Sequence, residues 1–334
     1  MSEPSFIIVI GSSAGGLNAV TEVCSQLDPD IDAAVLIVMH LSGKGIGDFL
    51  AHRIQTNTTL ICQTPRQEMP ILKGHIYIAP PNEHLLVKRG QIQLGHGPKE
   101  NRWRPSIDVL FRSAAVNYTS RVIGTILTGM LHDGTSGMDA IKKCGGTTVV
   151  QDPNQAEYPD MPMSVLGQME VDYCISLEQF GKTIKSIMQK KPENRAPDPD
   201  LVVENAVSEK MATGPDSIEK IGERSIFACP DCGGNLWKIS NGKIFKFRCH
   251  IGHSYSERDL LMKQGEAVES SLWVAVRLME ERQYLLSKLA DDSRKNGFVR
   301  SATEHTRKAE ELKGYIYDLK DHLIALEKSN ATDD

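Results

Sequence analysis

Phe6-Ile7-Ile8-Val9-Ile10-Gly11-Ser12-Ser13-Ala14-Gly15-Gly16 is the stretch whose reading decides the fold. The five apolar residues at its start have no polar face, the pattern of a parallel strand covered on both sides. Glycines then punctuate a turn, and Leu17, Val20, Val23 and Leu27 recur at helical spacing. Strand, glycine-rich turn and amphipathic helix make the opening unit of an α/β layer protein. The pattern continues downstream. Residues 33–39 predict a second apolar strand that ends in His40, and a helix is expected from about 46 to 55. Residues 75–79 read as another strand, and 84–88 with 91–94 as a β-hairpin turning at Arg89-Gly90. A helix is expected from Pro105 to about Val116. A strand over 122–127 then runs into Thr128-Gly129-Met130-Leu131-His132-Asp133-Gly134, followed by a helix through Lys143 and a strand at 147–151. The expected fold is α/β: a doubly wound, mostly parallel sheet with helices on both faces and a β-hairpin.

Composition narrows the function classes. A net charge of −5 gives no reason to expect nucleic acid as a partner. No apolar run approaches the roughly 20 residues needed to span a bilayer, so no membrane insertion is expected. The start, Met1-Ser2-Glu3-Pro4-Ser5, lacks the basic and apolar stretches of a signal peptide. Four of the seven cysteines (Cys24, Cys62, Cys144 and Cys174) are scattered, as expected of small buried hydrophobes in a reducing, cytoplasmic setting.

Three predicted strands each end at a chemically capable residue, and in an open parallel sheet those ends share one edge. A serine, a histidine and an aspartate delivered there are the components of a serine hydrolase. Gly11-Ser12-Ser13-Ala14-Gly15 fits the G-x-S-x-G turn that exposes a nucleophile, centred on Ser13 with Ser12 in support. The competing reading is a phosphate- or nucleotide-binding turn, which would want an acidic ribose ligand after the second strand, where this chain has His40. Asp133-Gly134 is also ordinary turn chemistry, and His132 beside it is a rival base.

Several segments together resemble the CheB-type chemotaxis protein-glutamate methylesterase domain. They are Gly11–Gly16, the strand ending in His40, Tyr77-Ile-Ala-Pro-Pro, Asn101-Arg-Trp-Arg-Pro-Ser-Ile-Asp-Val-Leu-Phe-Arg-Ser-Ala-Ala, Leu127-Thr-Gly-Met-Leu-His-Asp-Gly-Thr-Ser-Gly-Met, and Gln151-Asp-Pro to Met161-Pro162. The resemblance covers about residues 4–189 in order. It implies hydrolysis of methyl glutamate esters on chemoreceptors, with release of methanol, and deamidation of receptor glutamines. It places the family's catalytic serine, histidine and aspartate on Ser13, His40 and Asp133, and its oxyanion region on Met130, through the backbone N–H, and on Ala14. It implies no cofactor for catalysis. The expected partners are methyl-accepting chemoreceptor-like helical bundles, with a receptor methyltransferase or a separate response regulator. The chain departs from the usual pattern at Ala14 (commonly Thr), at Leu41-Ser42 (commonly Met-Pro) and at Leu131-His132 (commonly Gly-Asn). The family's usual N-terminal receiver domain is also expected to be missing, because the catalytic first strand begins at about Phe6.

Residues 190–224 carry Pro192, Pro197, Pro199, Gly214 and Pro215 among charges, and read as a linker with at most a short transient helix. Residues 225–256 hold Cys229-Pro230-Asp231-Cys232 and, further on, Cys249-His250-Ile251-Gly252-His253. Three thiolates and one imidazole would close a tetrahedral zinc site. Cys229, Cys232, Cys249 and His253 are the expected ligands of a structural zinc, with His250 as the alternative fourth. Residues 257–330 predict two helices broken at 291–297, forming a helical hairpin or a coiled coil that docks or dimerises. This arrangement also admits a signalling adaptor in which the zinc and helical segments carry the function and the hydrolase domain is inactive.

Overall fold

The computed structural model of the protein describes residues 3–40, 46–210, 215–241 and 244–330. The Leu41-Ser42 departure and Gly214 lie outside the described residues. The chain forms two compact units, Met1–Asp259 and Leu260–Asp334.

Seven strands build the central sheet of the first unit. They are β1 (Phe6–Ser12), β2 (Ala33–Met39), β3 (Ile61–Gln63), β4 (His75–Ile78), β7 (Val122–Ile126), β8 (Thr147–Gln151) and β9 (Tyr173–Ile175), in the order β3-β4-β2-β1-β7-β8-β9. Every pairing among them is parallel. The apolar run that opens the chain is therefore the central strand, with both faces covered. Successive side chains of β1 alternate between two cores. Ile7 and Val9 join one core with Leu110 and Phe111 of α3 (Ile107–Tyr118). Ile8 and Ile10 join the other, with Val20 and Val23 of α1 (Gly16–Ser25). Further helices flank the strands: α2 (Ile46–Gln55), α4 (Thr135–Lys143), α5 (Asp160–Gln168) and α6 (Phe180–Met188). The expected hairpin is present as the antiparallel pair β5 (His84–Lys88) and β6 (Gln91–Gly95). The doubly wound α/β architecture read from the sequence is the architecture found.

The segment expected to be a linker departs from that reading. It contains α7 (Pro199–Lys210) and α8 (Pro215–Glu219). Leu201 of α7 is buried in the same core as Phe111, and Val207 of α7 packs with Ile218 and Trp237. The physical reason lies in the charges: residues that look solvated in the sequence are buried pairs in the fold. Beyond α8, a four-stranded antiparallel sheet runs in the order β10 (Glu223–Ala228), β11 (Asn235–Asn241), β12 (Ile244–Cys249) and β13 (Ser254–Tyr255).

Between this small sheet and the large one lies a buried ionic cluster. Arg248 of β12 reaches Glu100 (Nη2 to Oε1, 2.7 Å) and Glu204 of α7 (Nη1 to Oε1, 3.3 Å). Arg112 of α3 pairs with Glu100 at 2.9 Å and with Glu204 at 3.0 Å. Lys246 of β12 meets Glu204 at 2.5 Å and donates to Ser136 of α4 at 2.9 Å. Charges taken so far from water persist only when paired on every side.

The second unit contains most of α9 (Glu257–Lys295) and all of α10 (Val299–Asn330). Within it, Val276 packs with Ile316 and Leu323, and Lys320 donates to Glu280 at 2.6 Å. The short break between Lys295 and Val299 lets α10 fold back on α9, with these contacts on both sides of it. Among the described residues, no helix is long and apolar enough to cross a membrane.

The ionic cluster makes a pH prediction. Burial alone would raise the Glu204 carboxyl, but Lys246, Arg112 and Arg248 outweigh it and hold the group at about 2, against an ordinary 4.5. A folded-state value below the unfolded one contributes stability that is complete above pH 4.5 and is lost as pH falls towards 2. Urea unfolding should show Glu204→Gln costing about 3 kcal/mol at pH 7, because it leaves Lys246 without its carboxylate and Arg112 and Arg248 sharing Glu100 alone. The gap between variant and parent should narrow at pH 3.

Candidate active site

The turn after β1 is shaped by its glycines. Gly15 has φ +71°, a conformation that side chains with a Cβ resist, and it caps the start of α1. The Gly16 N–H returns to the Ser13 carbonyl at 2.9 Å, closing the elbow. The two serines of the elbow then part company. The Ser12 hydroxyl is fully buried and donates to the Thr128 carbonyl at 2.8 Å. Ser13 donates to the same carbonyl through its backbone N–H at 3.1 Å, and it lines a pocket of about 410 Å³ with Ala14, Asn18, His40 and Glu157. Among the described residues, no partner holds the Ser13 hydroxyl.

Sheet register brings the histidine to the serine. Ser12 pairs with Met39 across β1 and β2, and the His40 N–H continues the ladder to the Ser12 carbonyl at 3.1 Å. On the other side of β1, Gly11 pairs with Ile126 of β7, whose following turn carries Asp133. The carboxylate reaches across the end of β1 to meet His40 Nε2 at 2.9 Å. With Nε2 so engaged, His40 Nδ1 is buried and has no partner among the described residues. That nitrogen is the one free to handle a proton.

Asp133 takes its other bonds at the start of α3. Its Oδ2 accepts the Ile107 N–H at 2.7 Å. Its Oδ1 accepts Asn101 Nδ2 at 3.0 Å, the Ser106 hydroxyl at 3.1 Å and the Asp108 N–H at 3.3 Å. Free N–H groups at a helix start favour an anion. Burial would raise the Asp133 carboxyl, but the bonds from His40, Asn101 and Ile107 keep it below the ordinary carboxylate value. Its neighbour Asp108 goes the other way: burial and the Asp133 charge raise it, against the bond from Gly137.

The remaining expected residues fall around this centre. Gly129 packs so closely that an added Cβ would lie 2.9 Å from Ser13 Cβ, so the turn at Gly129 after β7 backs directly onto the serine. Met130 follows, half exposed, and the Gly129 N–H is tied to the Tyr158 carbonyl at 3.0 Å. His132, the rival base, is committed elsewhere. Its Nε2 meets Asp259 at 2.9 Å and Ser256 at 2.5 Å.

Sequence reasoning missed two contributors. Trp103 stacks on the His40 ring at 4.1 Å between centroids and 6° between planes. Asn101 donates to both Asp133 and Asp108, the latter at 2.6 Å. Both sit in the Asn101-Arg-Trp-Arg-Pro-Ser run, whose density of large polar and aromatic residues just ahead of a helix was the available signal.

The cysteine segment forms a second candidate site. The ligand atoms of Cys229, Cys232, Cys249 and His253 lie within 4.8 Å of one another. Cys232 Sγ and Cys249 Sγ are 3.8 Å apart, and Cys249 Sγ and His253 Nδ1 are 3.5 Å apart. A tetrahedral ion with Zn–S near 2.3 Å and Zn–N near 2.0 Å requires S···S of about 3.8 Å and S···N of about 3.5 Å. The donor set and its dimensions fit that metal. His253, not His250, is the imidazole in the cluster, and its Nε2 lies 4.0 Å from Asp231 Oδ2. His250 packs edge-on to Trp237, 6.3 Å between ring centroids.

Comparison with known proteins gives a consistent result. The family described as CheB methylesterase matches residues 8–184. A Leptospira interrogans protein, provisionally named protein-glutamate methylesterase/protein-glutamine glutaminase, is 36% identical over 189 residues, covering 56% of this chain and 97% of that one. A Hydrogenovibrio crunogenus relative named protein-glutamate methylesterase/protein-glutamine glutaminase is 34% identical over 194 residues, 57% of this chain and 51% of its own. The crystal structure of the Thermotoga maritima CheB methylesterase catalytic domain superposes with a TM-score of 0.52 at 30% identity, covering 57% of this chain and all of that one. The matched region is the seven-stranded sheet and the strand ends that carry Ser13, His40 and Asp133, and on that ground the chain belongs to the CheB methylesterase family.

Proposed function

We propose that the protein is a serine esterase that removes methyl groups from glutamate side chains of methyl-accepting, chemoreceptor-like helical proteins, and that it hydrolyses glutamine amides at the same positions. The observation that carries this reading is the His40 ring: one nitrogen bound to a buried carboxylate, the other unpartnered, beside a serine on an elbow.

In this reading Ser13 Oγ attacks the ester carbonyl while His40 Nδ1 accepts its proton. The carbonyl oxygen becomes an oxyanion, and the family resemblance assigns its stabilisation to the region of Ala14 and the Met130 backbone N–H. His40 then returns the proton to the departing methoxide, giving methanol and an acyl-enzyme. A water molecule repeats the cycle, and glutamate is released. Asp133 keeps its charge throughout and stabilises the imidazolium. An amide substrate follows the same path with ammonia as the leaving group. Half-exposed Met130 and Tyr158, which flank the serine through the Gly129 to Tyr158 bond, offer an apolar rest for a substrate helix.

The cysteine cluster is read as a structural zinc site held by Cys229, Cys232, Cys249 and His253. Four protein donors leave no open position for chemistry, so the ion would supply folding energy to the small sheet.

Methanol release from methylated receptor fragments tests the esterase. Ser13→Ala should lower turnover by about 10⁴-fold or more. Ser12→Ala should keep most of the turnover while costing about 1 kcal/mol of stability through its lost buried bond. A dead Ser12→Ala beside an active Ser13→Ala would reassign the nucleophile. For the second site, elemental analysis should find one zinc per chain, and Cys249→Ser should lose it. A metal-free chain with intact cooperative unfolding would refute the structural ion.

A further inference from the structure

We propose that Asn101 and Trp103 are positioning residues for the His40–Asp133 pair, and that the Cys229/Cys232/Cys249/His253 knuckle holds their turn in place. The inference rests on the triad and metal readings above and extends them to how the site is kept assembled.

The turn at 100–103 does two jobs at once. Asn101 directs its amide at two buried carboxylates, Asp133 at 3.0 Å and Asp108 at 2.6 Å. A neutral double donor between two acids keeps the Asp133 oxygens aimed while separating like charges. Trp103, two residues on, lies flat on the imidazole that Asp133 holds. A hydrogen bond fixes where His40 Nε2 sits, and the stacked indole fixes the plane of the ring. Together they determine where Nδ1 points.

The turn does not hold this shape unaided. Asn101 has φ +49° and Arg102 φ +71°, two consecutive non-glycine residues in the left-handed region, closed by a bridge between Glu100 and Trp103. Such backbone persists only where its surroundings over-determine it. The surroundings here come from the small sheet. Arg248 grips Glu100 with both terminal nitrogens, Nη2 to Oε1 at 2.7 Å and Nη1 to Oε2 at 3.0 Å. The Ser254 carbonyl accepts the Asn101 N–H at 2.9 Å. Arg248 immediately precedes Cys249, and Ser254 immediately follows His253. The two anchors of the turn are thus the residues flanking the two ligands at the second half of the knuckle. The Cys249 N–H also donates to the His253 carbonyl at 3.0 Å, setting the spacing between the anchors. An ion joining Cys249 and His253 to Cys229 and Cys232 would fix that spacing from outside the sheet.

The test uses the full-length chain loaded with zinc. Trp103→Ala should lower kcat for methanol release by roughly 10- to 100-fold with KM within about twofold, whereas Trp103→Phe, which keeps a stacked ring, should stay within about threefold of the parent. Asn101→Ala should follow Trp103→Ala. Amide exchange over 6–12, 33–39 and 122–126 should be unchanged in each, which separates positioning from loss of fold. Stripping zinc with a chelator should raise exchange at 99–104 and slow fluorophosphonate labelling of Ser13 by the same order, and zinc should restore both. Unchanged kcat in Trp103→Ala, or a loss accompanied by exchange throughout the sheet, overturns the positioning role. A stripped chain that labels at the loaded rate with 99–104 protected overturns the role of the knuckle, as does a chain that labels fully and never binds zinc. Absence of Ser13 labelling in every state would instead refute the triad reading itself, and this inference with it.

Discussion

A carboxylate removed from water must recover its lost hydration from fixed donors or take up a proton. Asp133 is buried, and it recovers that hydration from His40, Asn101, Ser106 and two N–H groups at the start of α3. Each donor ties a different part of the chain to the same two oxygens. His40 brings the end of β2, Asn101 the turn after the hairpin, and Ile107 and Asp108 the helix that covers one face of β1. The arrangement of the site is the set of positions from which those donors can reach. Any shift of α3 along the sheet would be felt first as a longer bond to Asp133.

Behind that carboxylate lies a second dependence. The turn that carries Asn101 is pinned through Glu100, and Glu100 is neutralised by Arg112 from the large sheet's own helix and by Arg248 from the small sheet. Glu204 completes the cluster from α7 and takes Lys246 as well. Burial pushes Glu100 up, and the two guanidiniums more than reverse it, holding the group well below the ordinary range. Clusters of this kind are demanding about geometry, because removal of a single partner strands a charge. The cluster thereby ties the two sheets and α7 together through charge as well as through apolar packing.

Much of this was legible in the sequence, and the gaps have physical causes. β1 was readable because an unbroken apolar run beside a glycine elbow has few other uses. His40 stood out as a polar ring at the end of a purely apolar strand. Asp133 followed a strand end as well, but it rested more on the family resemblance, since Asp-Gly alone is ordinary. The strands β3 and β9 escaped because three residues carry no periodicity. α7 was mistaken for linker because Glu204 and Asn205 look like solvated residues, and nothing local reveals that their partners lie across the fold. His132 looked like a rival base through adjacency to Asp133, while its actual partner, Asp259, is 127 positions away. Asn101 and Trp103 were noted as part of a motif, but their work depends on contacts that only the folded chain supplies. Short-range pattern recovered the scaffold, and long-range polar pairing was the part it could not recover.

The separation between Glu100 and Arg248 has a consequence for biosynthesis. The two are 148 positions apart, and a ribosome adding about 5–20 residues per second needs on the order of ten seconds or more to make the second after the first. During that interval the large sheet has emerged, complete with Ser13, His40 and Asp133, while Arg112 alone faces Glu100. The nascent chain would then carry its hydrolytic residues before the clasp that aligns them has been translated. The whole cluster can close only once Arg248 of β12 has been made and has left the ribosome.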